Sequence, residues 1–300
     1  MWQVITTLKE SKKMSNLENE FYLNDADLIK LVDSDPSAHE GGPSELHSQL
    51  ECGRRYILDR QFREDPLAEN CWRRNAGSIA HKLTEFMDCG VDPAEHFTRI
   101  CENAKLQESL DVAWNIAEHY AEAFPAGFWG ELVEAEVKLT GSIGAGRLDR
   151  VWTVDQAAID RIEARFAVNM NGPGTYLWDL KTSGQADKSL STKYEWGPAC
   201  YMYTNLALAR WSDVRGMIFL NAVPHATKRE GKWVEFAAAV YPVEGQTSDL
   251  AHRRFNHMQA QAALNTQETF SGPFGRCNTA MCYFHGLACR HRLSGACEGV

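Results

Sequence analysis

Asp179-Leu180-Lys181 places a carboxylate and an ammonium two residues apart inside Thr175-Tyr176-Leu177-Trp178-Asp179-Leu180-Lys181-Thr182, an otherwise apolar and aromatic run. Two such charges are costly to bury unless they pair or bind something. Taken alone, the tripeptide reads as a local ion pair at a strand end. Asp149 is a second acidic group in an apolar setting, between Leu148 and Arg150-Val151, where strands are depleted of aspartate. His81 and Glu85 are four apart on a helical pattern and share a face. Carboxylates of this kind are hard oxygen ligands for Mg²⁺ or Mn²⁺, and an imidazole adds a nitrogen that suits Mn²⁺. A separate group lies at the other end of the chain, where Cys277, Cys282, Cys289 and Cys297 crowd into the last 24 residues. In a reducing compartment such a cluster reads as metal or iron-sulfur ligation rather than a disulfide framework.

The elements that must position these groups are legible in outline. Residues 1–20 are polar and residues 33–43 carry loop chemistry ending in Gly41-Gly42-Pro43, so residues 1–43 are expected to form a flexible arm. Ser44 is a candidate N-cap for a helix through Leu58 that carries Cys52 beside Arg54 and Arg55. Helices are expected over Trp72–Met87, from Pro93, and over Ser109–Phe124. From Trp129 the period changes to alternation. Val133 to Leu139, with Glu134 and Glu136 on one side, and Arg147 to Trp152 read as strands joined by a glycine-rich turn. Residues 155–174 read as a long connection into the Asp179 strand, where alternation puts Asp179 and Lys181 on one face and Tyr176, Trp178 and Leu180 on the other. A helix over about Lys193–Arg210, strands at Met217–Leu220 and Trp233–Phe236, and a polar helix over about Ser248–Leu264 complete the order. This is an α/β layout with a mixed sheet.

Composition bounds the rest. The 300 residues are 44% hydrophobic and 24% charged, ordinary for a globular chain. There is no long apolar run and no charged-then-apolar leader, so the expectation is a cytoplasmic protein with no membrane contact. The net charge of -9, from 40 acidic against 31 basic side chains, gives no general attraction to nucleic acid. Any such contact needs a local basic groove, for which Arg54, Arg55, Lys188 and Lys193 are candidates. Nothing resembles a Ser or Cys nucleophile elbow or triad.

In order and context, Gly77-x-x-x-His81, Gly146-x-x-Asp149 and Asp179-x-Lys181 resemble the motifs of PD-(D/E)xK nucleases of the RecB, AddB and Cas4 type, which include phage exonucleases. Cys52, with Cys282, Cys289 and Cys297, resembles the four ligands of the [4Fe-4S] cluster carried by the Cas4 and AddB branch. The resemblance covers residues 44–297 and implies a restriction-endonuclease-like α/β core, a central mixed sheet flanked by helices, with an N-terminal helical part and a C-terminal Cys-rich tail. It implies one nuclease domain over 44–300, its catalytic sheet within 128–245 and residues 270–300 joining Cys52 in the iron-sulfur subregion. It further implies that His81, Asp149, Asp179 and the Leu180 carbonyl hold Mg²⁺ or Mn²⁺. Lys181 then positions the attacking water and stabilises the transition state. The implied reaction is hydrolysis of DNA to 5′-phosphate and 3′-hydroxyl ends, in recombination, repair or phage DNA processing, with a helicase, recombinase or integrase as possible partner. Glu134 or Glu136 is a candidate for a second metal or for fixing the first.

The sequence departs from the pattern in two places. The family's glutamine ahead of a helical tyrosine is Gly197 here, so only Tyr201 carries over as a catalytic candidate; the tail spacings are longer than in some relatives, with Cys277 as a fifth candidate, either a substitute for one of the four ligands or, the reading favoured, a free thiol. Two other readings stand beside the nuclease. One is a noncatalytic DNA-binding or scaffold protein of the same fold, against which the full set of His81, Asp149, Asp179 and Lys181 argues. The other is a zinc module in the tail, built from Cys282, His285, Cys289, His291 and Cys297.

Overall fold

The computed structural model describes Leu46 and residues 72–96, 104–141, 143–182, 198–229, 232–243, 253 and 256–260. Three helices open the described chain: α1 (Trp72–Asp88), the single turn α2 (Pro93–His96) and α3 (Ala104–Ala123). Strands β1 (Glu131–Gly141) and β2 (Gly144–Val154) follow, then α4 (Gln156–Phe166) and β3 (Gly174–Thr182). Helix α5 (Pro198–Leu208) and strands β4 (Val214–Arg229) and β5 (Lys232–Pro242) complete the set. The five strands form one sheet in sequence order. Its pairings are antiparallel except β3 with β4, which run parallel. A parallel neighbour requires a crossover, and α5 lies in that connection.

Strand β3 is the middle of the sheet, and Thr175 to Leu180 are all buried. A strand buried on both faces needs a layer against each. On one face Tyr176, Trp178 and Leu180 join Ile79 and Leu83 of α1, Ile116 and Tyr120 of α3 and Ile159 and Ile162 of α4. On the other face Leu177 joins Met202, Leu206 and Ala207 of α5 with Val151 and Phe219. The protein is therefore a mixed-sheet α/β fold flanked by helices, as the alternation of patterns implies. Trp178 is the pivot of the first layer: its ring lies 5.8 Å from that of Trp129 and 6.3 Å from that of Tyr120, both edge-on.

Two expectations need correction. Residues 155–174 are not a plain connection, because α4 occupies most of them: Asp155 accepts from the Ala158 N–H as N-cap, and Ala167 closes the helix in the left-handed region. Its buried residues are Ala158, Ile159 and Ile162, with Phe166 half-buried at its end, too narrow a stripe to stand out from a polar stretch. Strand β4 is also far longer than Met217–Leu220. Asn221 and Pro224 have poor strand propensity but extend it because β5 pairs with it through Pro224 and again at Arg229. Of the expected helices at 44–58 and 248–264, Leu46, Arg253 and residues 256–260 are described, all helical. The N-terminal arm, the rest of those helices and the groove candidates Arg54, Arg55, Lys188 and Lys193 lie outside the described residues. Among the described residues no helix is long and apolar enough to cross a membrane.

Candidate active site

Gly77 explains how α1 reaches the sheet. A Cβ at this position would stand 2.5 Å from Thr182 Oγ1, at the end of β3. The missing side chain lets the helix settle against the strand, and His81 follows one turn later. Gly77→Val is expected to cost about 1–3 kcal/mol by overpacking, read from urea unfolding. It should also carry His81 away from the sheet. Native stability in that variant would show that Thr182 simply turns aside.

Strands β2 and β3 pair from Val154–Gly174 to Arg150–Trp178. Beyond that rung, the N–H of Leu180, two residues further along β3, donates at 2.7 Å to Oδ2 of Asp149, one residue further along β2. A side chain thus takes a backbone donor of β3, and Asp149 lies between the two strands. The same Oδ2 is 3.0 Å from His81 Nδ1, and Lys181 Nζ is 2.6 Å from Asp179 Oδ2. Four residues from three distant segments therefore meet where α1, β2 and β3 converge. Asp179 is deeply buried and Asp149 mostly so, whereas His81 and Lys181 are about a quarter and a third exposed, so the cluster opens to solvent on their side.

The two carboxyls differ in acidity. Burial would raise Asp149, but the His81 ring, its hydrogen bond, Arg150 and Lys181 outweigh it and hold the group well below the usual carboxylate range. Burial pushes Asp179 up, Lys181 pulls it back, and the Asp149 charge pushes it up again, leaving it raised. Neighbouring carboxylates whose proton affinities are driven apart mark sites of acid-base or metal chemistry.

Around this centre lie residues that motif reading either left undecided or missed. Glu136 is held in the left-handed region at φ 52° in the middle of β1, a strained conformation for a non-glycine residue. It pairs with Arg147 at 2.8 Å. Burial raises its carboxyl above the usual range, and Glu85 and Asp149 add to the rise against the pull of Arg147. Glu134 instead pairs with Arg210 at 2.6 Å on an exposed surface. Glu85 is buried and held by Lys82, 2.9 Å from each carboxylate oxygen. Tyr201 is buried in the α5 layer. Tyr203, two residues on, donates its hydroxyl to the Arg147 carbonyl at 2.7 Å, and its acidity is suppressed first by burial and then by Asp179 and Asp149. No one-dimensional signal separates the two tyrosines, because the distinction depends on which face of α5 meets β2. Cys52, Cys277, Cys282, Cys289 and Cys297 lie outside the described residues.

Two buried carboxylates and an imidazole are a donor set that suits a hard divalent cation. Among the described residues no three His, Cys, Asp or Glu side chains are gathered as a ready metal cage. Here Lys181 and His81 supply the balancing donors instead, one to each carboxylate.

A mixed sheet with acidic residues and D-x-K on its central strands, under a histidine from a flanking helix, defines the restriction-endonuclease-like class of α/β protein. The chain belongs to the PD-(D/E)XK nuclease superfamily, which residues 42–290 match. Membership implies a phosphodiester hydrolase, and enzymes of this superfamily typically use Mg²⁺ or Mn²⁺. No curated protein matches the chain.

Proposed function

We propose that this protein is a metal-dependent DNA exonuclease of the RecB-like kind. The observation that carries the reading is the meeting of His81, Asp149, Asp179 and Lys181 at the point where β2 and β3 part. Asp149, Asp179, His81 and the Leu180 carbonyl are the residues we assign to holding Mg²⁺ or Mn²⁺. Such an ion, when bound, polarises the scissile phosphate and makes a bound water more acidic. Lys181, the most exposed of the four side chains, faces substrate and stabilises charge developing on the phosphate. Asp149 orients the His81 ring through Nδ1 and fixes β3 through the Leu180 N–H. Tyr201 remains a catalytic candidate through the resemblance alone. Glu136 is better placed than Glu134 to act on the site, since its charge is coupled to Asp149.

DNA is the substrate we assign, held locally, because the net charge of -9 opposes broad attraction to phosphate. End-labelled single-stranded and duplex DNA, incubated with Mg²⁺ or Mn²⁺, should be shortened from its ends, and chelation should stop it. Absence of any metal-dependent cleavage removes the nuclease reading, and cutting of closed circles alone removes the exonuclease part of it.

The proposal extends to a [4Fe-4S] cluster on Cys52, Cys282, Cys289 and Cys297, within one domain over 44–300 in the cytoplasm, and to work in recombination, repair or phage DNA processing beside a helicase, recombinase or integrase. Support for the cluster is the cysteine spacing and the cysteine ligation typical of such clusters. Protein purified without oxygen should be brown, and Cys52→Ser should bleach it. A colourless protein holding zinc after Cys52→Ser would favour a tail site built from Cys282, His285, Cys289, His291 and Cys297 instead.

A further inference from the structure

Arg150 follows Asp149 in β2 and is buried, yet no step above uses it. Its Cα pairs with Trp178, at the last rung before β2 and β3 part. Its guanidinium lies 4.6 Å over the Trp178 ring. Nε is 2.8 Å from Asp88 Oδ2, while Nη2 donates to Thr84 Oγ1 at 2.8 Å and to the His81 carbonyl at 3.3 Å. Thr84 Oγ1 in turn donates to the same His81 carbonyl at 3.1 Å.

Two consecutive residues of β2 therefore grip one residue of α1 from two sides. Asp149 takes the His81 ring and Arg150 takes the His81 backbone. A single contact would leave α1 free to turn about its axis; two contacts on one residue, with a third at Asp88 two turns on, fix both its rotation and its height. The stack on Trp178 ties the same guanidinium to the strand that carries Asp179. We propose that Arg150 is a positioning residue, which sets His81 against Asp149 and Asp179 and so determines the affinity of the divalent-metal site. This rests on the nuclease reading. The competing account is a purely structural ion pair with Asp88.

The two accounts separate when the charge of Asp88 is removed together with that of Arg150. Arg150→Met alone strands a buried carboxylate and should destabilise the protein. Arg150→Met with Asp88→Asn removes both charges, and the amide oxygen still accepts from Tyr120, whose hydroxyl is 3.0 Å from each Asp88 oxygen. This double variant should recover a cooperative thermal transition while its Mn²⁺ affinity, read from the paramagnetic signal of free Mn²⁺, falls about ten- to a hundredfold. Cleavage should then fall in kcat more than in KM. Mn²⁺ affinity within about twofold of the native protein, in a folded double variant, overturns the proposal. If the double variant does not fold, Arg150→Lys gives the decision. It keeps a cation opposite Asp88 but lacks the planar fork, so the same loss of Mn²⁺ affinity is expected, and native affinity overturns the proposal. Native protein that binds no Mn²⁺ removes the nuclease reading itself, an outcome distinct from unchanged affinity in the variants.

Discussion

Lys181→Ala is expected to lower metal-dependent DNA cleavage by about a hundred- to a thousandfold, the scale on which one charge-stabilising group contributes to a transition state. The fold should survive. Lys181 is about a third exposed and its removal opens no core cavity. Asp179, left without its ammonium, can take up a proton, because its carboxyl is already raised by burial and by Asp149. The diagnostic part is the metal. In the proposed site the Lys181 ammonium and a divalent cation would compete for one Asp179 carboxylate, so Lys181→Ala should bind Mn²⁺ at least as tightly as native protein while losing cleavage. Asp179→Ala should lose both. Calorimetric Mn²⁺ titration beside single-turnover cleavage reads the pair. Native cleavage in both purified variants would end the assignment of this strand.

Trp178→Ala is expected to cost about 3–5 kcal/mol of stability, the range for deleting a large buried aromatic. It is one residue from Asp179, but its effect should be of a different kind, because alternation sends its indole to the opposite face. There it is fully buried between Tyr120, Trp129 and the Arg150 guanidinium. Truncation removes two edge-on ring contacts and the cation stack together. A chemical denaturation midpoint measures the loss, and Trp178→Phe should recover a substantial part of it. A change below about 1 kcal/mol would mean that the layer collapses around the gap, contrary to the close packing of such interiors. The neighbouring variants thus separate the two faces of β3, one carrying chemistry and the other carrying stability.

Much of this was legible from one dimension because it depends on local period and residue type. Alternation in Val133–Leu139 and Arg147–Trp152, and the apolar run into Asp179-x-Lys181, foreshadow β1, β2 and β3. The 3.6-residue stripe of Leu110, Ala113, Ile116 and Tyr120 foreshadows α3. Helix α4 was not legible, since its three buried residues make a face too narrow to stand out. The length of β4 was not either, because pairing with β3 and β5 overrides the poor propensity of Asn221 and Pro224.

The sequence by itself determined which chemical groups exist and on what kind of element each is carried: an imidazole on a helix, a carboxylate on one strand, a carboxylate and an ammonium on the next. Periodicity decides that much, because it is set by backbone geometry within a few residues. Tertiary structure decided which groups touch. That Asp149 meets His81 and the Leu180 N–H, that Glu136 feels the Asp149 charge while Glu134 pairs with Arg210 at the surface, that Tyr203 lies under the charge of both aspartates, and that Arg150 holds the His81 carbonyl all depend on contacts between separate elements. The reason is the same in each case. The helix-to-sheet approach allowed by Gly77 and the parting of β2 from β3 are set by packing and pairing between distant segments, which local periodicity does not encode.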